Sequence, residues 1–239
     1  MKSFNRIRKL VQTINDFIDE KKLNNVTIAD IGADHGYLAE ILTRNDKISK
    51  VFATDISKKC LNKTEELIKN NNLDKVETRL GDGLEPIDET DIVVVAGIGG
   101  YEIINMISNQ NITKNGKIKS RFFVLEPSKN TVELREFLFD NNYAILKDFI
   151  IESAGRYYSI IVVDVCEKCD TERNIFNTYF GRDNSAENPE FLGFLKFQIE
   201  LFDFLNELSE TQIEADEKTK IKHEIYKLSK KILNEEQGD

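Results

Sequence analysis

The sequence predicts a doubly wound α/β domain closed by an antiparallel hairpin and followed by long helices, and three observations carry that prediction. Short continuous apolar runs alternate with helical patterns over residues 26–141, as expected of parallel strands covered on both faces. The first run ends in Ile28-Ala29-Asp30-Ile31-Gly32-Ala33-Asp34-His35-Gly36, a strand feeding a glycine turn that lets a ligand approach the backbone. The runs Tyr143–Ile151 and Tyr157–Val165 are joined only by Glu152-Ser153-Ala154-Gly155-Arg156, too short for a crossover helix, so they must pair antiparallel.

Taken in order, Phe4, Ile7, Leu10, Val11, Ile14, Phe17 and Ile18 repeat at helical spacing and predict an N-terminal helix. Strands are predicted at Val26–Ile31, Lys50–Asp55, Val76–Leu80, Asp91–Ala96 and Arg121–Leu125, with helices near 37–45, 57–71, 100–110 and 130–141 between them. A sixth strand and an antiparallel seventh close the sheet. After Val165 the pattern turns helical: Phe191, Leu195, Phe202, Leu205 and Leu208 mark one helix from Glu190, and Ile221, Ile225, Leu228 and Ile232 mark another. These read as an antiparallel hairpin with its turn near Ala215–Thr219, or as one long helix, since no Gly or Pro marks the turn. The expected division is an α/β domain over 1–168 and a helical segment over 169–239.

The first turn also speaks to chemistry. Asp55 closes the second run about twenty residues on, where a doubly wound domain places the carboxylate that holds a ribose. The turn reads Asp30-x-Gly32-x-x-x-Gly36 rather than the G-x-G-x-x-G of a pyrophosphate site. Asp30 and Asp34 would repel a pyrophosphate and attract a cation, and S-adenosylmethionine carries an ammonium and a sulfonium with no phosphate. The competing reading is that Gly32 and Gly36 only permit a tight turn while the acids cap the helix. The closing hairpin tips the balance, because it is typical of S-adenosylmethionine-dependent methyltransferases and unusual for nicotinamide domains.

Composition bounds the remaining possibilities. With 239 residues, 40% hydrophobic, the chain can bury one substantial core. No apolar run approaches the roughly eighteen residues of a membrane span, and the N-terminus lacks a secretory signal pattern, so a cytoplasmic protein is expected. Cys60, Cys166 and Cys169 make no disulfide framework, and the single C-x-x-C pair with His35 and His223 supplies no structural zinc set, so no metal is expected. The net charge of −9 argues against non-specific adhesion to nucleic acid. The charge is nevertheless uneven: residues 1–25 hold six Lys or Arg against three acids, 187–217 nine acids against one Lys, and 218–231 six Lys against one Glu. Local basic surfaces are therefore available, although such runs also serve as solvated helix faces.

Four motifs carry a family resemblance: Asp30-Ile31-Gly32-Ala33-Asp34-His35-Gly36-Tyr37-Leu38, Leu80-Gly81-Asp82-Gly83-Leu84, Ala96-Gly97-Ile98-Gly99-Gly100 and Gly155-Arg156-Tyr157-Tyr158. In order and spacing the chain resembles the bacterial tRNA adenine-22 N1-methyltransferases of the TrmK type over about residues 3–165, and the segment after Phe180-Gly181 looks like that family's coiled-coil domain. The resemblance implies a Rossmann-like class I methyltransferase with a seven-stranded, mostly parallel sheet, an antiparallel last strand and a C-terminal helical coiled-coil hairpin. Two departures stand out. The family usually shows Gln-Pro-Asn where this chain has Glu126-Pro127-Ser128, and Ser-Asp-His-Ala where it has Ala33-Asp34-His35-Gly36.

The resemblance implies S-adenosylmethionine as cofactor and tRNA as partner. Asp30, Gly32, Ala33, Asp34, His35 and Gly36 would wrap the methionine part, Asp55 would hold the ribose with Ile56 beside it as a further cofactor contact, Gly81, Asp82 and Gly83 would meet the adenine edge, and Ala96, Gly97, Ile98 and Gly99 would form the floor beneath the sulfonium. Adenine N1 has a lone pair that attacks an activated methyl directly, so positioning and water exclusion suffice and no strong base is required. Asp34 is the catalytic candidate, acting electrostatically on the cationic product, while His35 is read as orienting the loop. N1 is engaged in a duplex, so the target must be unpaired or extruded. Arg6, Arg8, Lys9, Arg156 and Tyr157, with the lysines of 218–231, are the RNA-binding candidates. A monomer without an obligate protein partner is expected. Two other readings stand beside this one: a methyltransferase of the same fold acting on a protein or small molecule, and a non-catalytic binding module.

Overall fold

A computed structural model describes residues 4–113, 115–208 and 217–236. Helix α1 (Phe4–Glu20) precedes the alternation β1 (Val26–Ile31), α2 (Tyr37–Leu42), β2 (Ile48–Asp55), α3 (Lys58–Asn71), β3 (Val76–Leu80), β4 (Ile92–Ala96), α4 (Gly100–Asn105), β5 (Phe122–Glu126) and α5 (Thr131–Asp140). The hairpin strands β6 (Tyr143–Ser153) and β7 (Arg156–Lys168) follow, then α6 (Ile175–Tyr179), α7 (Pro189–Leu208) and α8 (Glu217–Glu236). The helix expected over 100–110 changes character half-way, since Met106–Gln110 forms a π-turn continuing α4.

The seven strands form one sheet in the order β3-β2-β1-β4-β5-β7-β6, and β7 runs opposite to the other six. The hairpin turn is two residues, Ala154 and Gly155, with φ of 59° and 74°. Positive φ at both central positions is the geometry that follows the twist of the flanking strands.

Strand alternation divides the core. Ile28, Val51, Val94, Val124 and Val162 face α1 and α2, where Leu10, Ile14, Phe17, Leu38 and Leu42 meet them. Ala29, Val93, Val95, Phe123, Leu125 and Ile161 face Ile103, Met106, Leu134 and Leu138 of α4, its π-turn and α5. Each large aliphatic side chain fully buried this way contributes about 1.5–3 kcal/mol. The helix-on-both-faces arrangement leaves the carboxyl ends of β1, β2, β4 and β5 open at one rim.

The edge strand β6 is covered by the chain that follows β7. Asp183 N donates to Asp148 O at 3.0 Å, Asp148 N to Asp183 Oδ2 at 2.7 Å and Ile150 N to Asn184 Oδ1 at 3.0 Å, so the outward donors of Asp148 and Ile150 are satisfied. Phe180, Phe191, Leu192 and Leu195 pack on Ile150, with Leu233 of α8 in the same cluster. Farther out Tyr226 stacks on Phe202 at 4.4 Å and donates to Asp203, which makes α7 and α8 antiparallel neighbours. The expected turn near Ala215–Thr219 lies partly outside the described residues, and Thr219 falls within α8. The side chains of Phe4, Leu205, Leu208 and Ile221 are also outside what is described.

Candidate active site

The rim turn after β1 is held by the neighbouring strand. Gly32 N and Ala33 N both donate to Thr54 O at 2.9 Å. Asp55 lies next along β2, and its carboxylate accepts from Asp34 N at 3.2 Å and Ser57 N at 2.7 Å. Gly81 N, after β3, donates to Asp55 O at 3.2 Å. Asp30, Gly32–Gly36, Asp55 and Gly81–Gly83 thus share one stretch of rim. Ile56, 71% exposed, projects beside Asp55 as an uncovered apolar surface. Asp82 is also exposed.

Two glycines are required here. Gly36 has φ of 73°, and a Cβ on it would sit 2.7 Å from Thr64 Cγ2; Thr64 in turn donates its hydroxyl to Asp34 O at 3.0 Å. Gly83 has φ of 53°, and a Cβ there would run into Gln110, whose Oε1 accepts from Leu84 N at 2.7 Å. Thr64 and Gln110 are supports that sequence reasoning missed, since neither lies in a motif. The β-branched Thr64 within a helix was the one available signal.

Asp34 is exposed and, at φ of 46°, occupies the left-handed region. Its Oδ2 accepts from His35 Nδ1 at 2.6 Å, and His35 Nε2 lies 3.1 Å from Lys63 Nζ. Partial burial works to raise the Asp34 pKa, but hydrogen bonds from His35 and Cys60 and the charges of His35 and Lys63 outweigh it, leaving the carboxyl below its usual range. His35 therefore joins the turn to α3 and also stacks on Tyr37, ring centroids 5.6 Å apart.

Asp30 differs from both. It is buried, 3% exposed, with Oδ2 unpartnered, and burial together with the charge of Asp55 pushes its pKa up to about 7. An unpaired buried carboxylate is costly unless a cation meets it. It lines a cleft of roughly 350 Å³ whose other walls include Gly32, Ala33, Asp34, Ala96, Arg6 and Glu126.

The other side of the cleft is built from β4 and β5. Gly97 N donates to Glu126 O at 2.9 Å and Ser128 N to Ile98 O at 2.9 Å, so the loops after the two strands lock together. Ile98 reaches back toward Gly32, where a Cβ would lie 3.1 Å from its Cδ1. Gly99 begins α4 as its N-cap in an extended conformation.

Of the five RNA-binding candidates, Arg8 and Arg156 lie exposed. Arg6 instead points into the cleft: Nη1 donates to Glu126 Oε1 at 3.0 Å, and its guanidinium lies 5.3 Å from the Tyr158 ring centroid. Lys9 is ion-paired with Glu190 of α7. Tyr157 packs on Phe194 and Phe197. The three cysteines are free thiols, and among the described residues no group of three or more His, Cys, Asp or Glu is placed to hold a metal.

Comparison with known proteins decides the family. The family described as "Methyltransferase domain" matches residues 7–161. The Mycoplasma genitalium protein named "Putative tRNA methyltransferase MG248" is 31% identical over 166 residues, 68% of this chain and 72% of that one. The chain belongs to the methyltransferase family. The Bacillus subtilis tRNA (adenine(22)-N(1))-methyltransferase is 29% identical over 166 residues, 68% of this chain and 67% of its own. The structure of M. capricolum TrmK in complex with S-adenosyl-homocysteine superposes with a TM-score of 0.71 at 26% identity, covering 95% of this chain and 96% of the other. No helix among the described residues is long and apolar enough to cross a membrane.

Proposed function

We propose that this chain transfers a methyl group from S-adenosylmethionine to N1 of adenine 22 in tRNA. The observation that carries the cofactor assignment is the orphaned Oδ2 of Asp30, buried beneath the Gly32–Gly36 turn. A buried anion at the mouth of a glycine turn rejects a pyrophosphate and fits an amino-acid ammonium. The substrate assignment rests on relatives near 30% identity that are named tRNA methyltransferases.

S-adenosylmethionine, when bound, supplies a methyl group activated on a sulfonium. The chain's own part is placement. Asp30 holds the ammonium, and the Asp55 carboxylate accepts the ribose hydroxyls from the position where it now accepts from Asp34 N and Ser57 N. Gly81, Asp82, Gly83 and the exposed Ile56 receive the cofactor's adenine. The interlocked loops Ala96–Gly99 and Glu126–Ser128 form the opposite wall, against which the target base is held with its N1 lone pair in line. Asp34, kept ionised by His35 and Lys63, favours the positive charge that appears on the base.

Arg8, Arg156 and, on α8, Lys222, Lys227, Lys230 and Lys231 are the phosphate contacts in this account, the side chains of Lys218 and Lys220 lying outside what is described; Arg6, Lys9 and Tyr157 would first have to leave Glu126, Glu190 and α7. The segment 169–239 is taken as a second, RNA-contacting domain, and the protein as a cytoplasmic monomer. The test uses two transcripts of one tRNA, with adenine or guanine at position 22. The reading expects S-adenosylmethionine-dependent methylation of the first alone; equal incorporation into both would refute the position.

A further inference from the structure

The cleft contains a second buried carboxylate, and the cofactor account does not use it. Glu126 closes β5, is 0% exposed, and presents one oxygen to Arg6 while Oε2 has no partner. It stands on the far side of β4 from Asp30: Asp30 is registered with Val94, and Ala96 with Glu126. In an open α/β sheet ligands bind outside the carboxyl ends of the strands at the switch in strand order, which here lies between β1 and β4; with the ribose and adenine assigned to the ends of β2 and β3, the β5 side of the cleft is left to the substrate. Glu126 and Asp30 face the same cleft from these two halves.

Resting on the methyl-transfer reading above, we propose that Glu126 reads the target base, its Oε2 accepting a hydrogen bond from the exocyclic amine of adenine while Arg6 fixes the carboxylate through Oε1. The chemistry of the base supports this. The amine is the donor adjacent to N1, so an acceptor on it sets the in-plane orientation of the attacking lone pair. Methylation leaves a cation delocalised over N1, C6 and the amine, and a carboxylate on that amine stabilises the charge as it develops. Guanine presents a carbonyl oxygen there and would meet the carboxylate with like polarity, so the same contact selects against it. Burial pushes the Glu126 pKa up to about 7 against the opposing pull of Arg6, and an amine donor at the vacant oxygen favours the ionised form.

Arg6 is then a positioning residue. It comes from α1, its guanidinium lies on the Tyr158 ring, and it spans 120 residues of sequence to reach Glu126. A Cβ on Gly97 would stand 3.8 Å from Arg6 Nη1, so the pair borders the β4 loop that walls the site.

A substrate–enzyme cycle tests this at saturating S-adenosylmethionine, with tRNA carrying either adenine or unsubstituted purine, which keeps N1 and lacks the amine, at the target position. Glu126→Ala is expected to lower kcat on the adenine substrate at least ~10-fold and to change the purine substrate less than ~3-fold, because the contact it removes is already absent there. Glu126→Gln, isosteric with the native side chain, guards against a folding defect; it should fall between the two on adenine and match the wild type on purine, with an unchanged thermal midpoint. Equal losses on both substrates for both variants would overturn the role of Glu126 while leaving the methyl-transfer reading intact. A wild-type protein that methylates no adenine in tRNA would overturn both.

Discussion

Arg135 and Asp148 meet in a buried two-point contact, Nε to Oδ2 at 2.7 Å and Nη2 to Oδ1 at 2.8 Å, with both side chains 1% exposed. The same guanidinium donates to Tyr179 O at 3.1 Å and Phe180 O at 3.2 Å. One residue of α5 therefore ties β6 to the segment that leads into the C-terminal helices. Removing one partner of such a pair leaves an uncompensated buried charge, a loss of about 3–5 kcal/mol. Arg135→Met is expected to lower the urea midpoint accordingly, and Arg135→Met combined with Asp148→Asn to recover part of it; additive losses would contradict the coupling.

Asp55 is the ribose acceptor in this account. Asp55→Ala removes a charged acceptor of two hydroxyls and should weaken S-adenosylmethionine binding by at least ~10-fold, read by calorimetry. Unchanged affinity would remove the assignment.

The raised pKa of Asp30 makes cofactor binding depend on pH. Only the ionised carboxylate attracts the ammonium, and burial holds the proton on up to about 7. Affinity should therefore rise on the order of tenfold from pH 5.5 to pH 7. Asp30→Asn should bind weakly with a flatter profile over that range. In the absence of cofactor the sign reverses for stability. Between about pH 4 and pH 7 the native protein retains protons on Asp30 and Glu126 that the unfolded chain has released, so stability falls as pH rises through that window. A denaturation midpoint that rises with pH there, measured against the Asp30→Asn variant, would contradict the assigned burial effect.

The exposed Arg8 and Arg156 should contact phosphate. Reversing each to Glu is expected to weaken tRNA retention without altering S-adenosylmethionine affinity. Each lost contact should reduce the slope of log affinity against log salt by about 0.7–0.9. A slope identical to the wild type would move the RNA surface elsewhere.

Gly36→Ala places a Cβ 2.7 Å from Thr64 Cγ2 at φ of 73°. The left-handed conformation alone costs roughly 1–2 kcal/mol. A lowered thermal midpoint is expected, partly restored by adding Thr64→Ser, which deletes the clashing methyl and keeps the hydroxyl that donates to Asp34 O.

The parts of this molecule legible in its sequence are those whose physics is local. Short continuous runs such as Ile92–Ala96, spaced by helical patterns, read as doubly covered strands, and a five-residue link between Ile151 and Tyr157 is too short for a crossover helix and reads as a hairpin. The glycine turn after β1 was likewise legible, because its backbone demands are written in residue type, and Asp55 falls where expected at the end of β2. Pairings distant in sequence were not legible. Arg6 lies in a basic stretch that suggests phosphate contacts, yet its partner is 120 residues away. Lys9 likewise belongs to Glu190. The five-residue α6, Ile175–Tyr179, is shorter than two turns and leaves no periodicity to detect. The strand β7 inserts between β5 and β6, a choice governed by the whole sheet and not by either strand.

The most direct test of the central claim is transfer of labelled methyl from S-adenosylmethionine to unmodified bulk tRNA, followed by nucleoside mass spectrometry of the digest. The account predicts label in 1-methyladenosine, lost in the Asp55→Ala variant. A protein that binds S-adenosylmethionine while every nucleoside stays unlabelled would contradict it and direct the search to a protein or small-molecule acceptor.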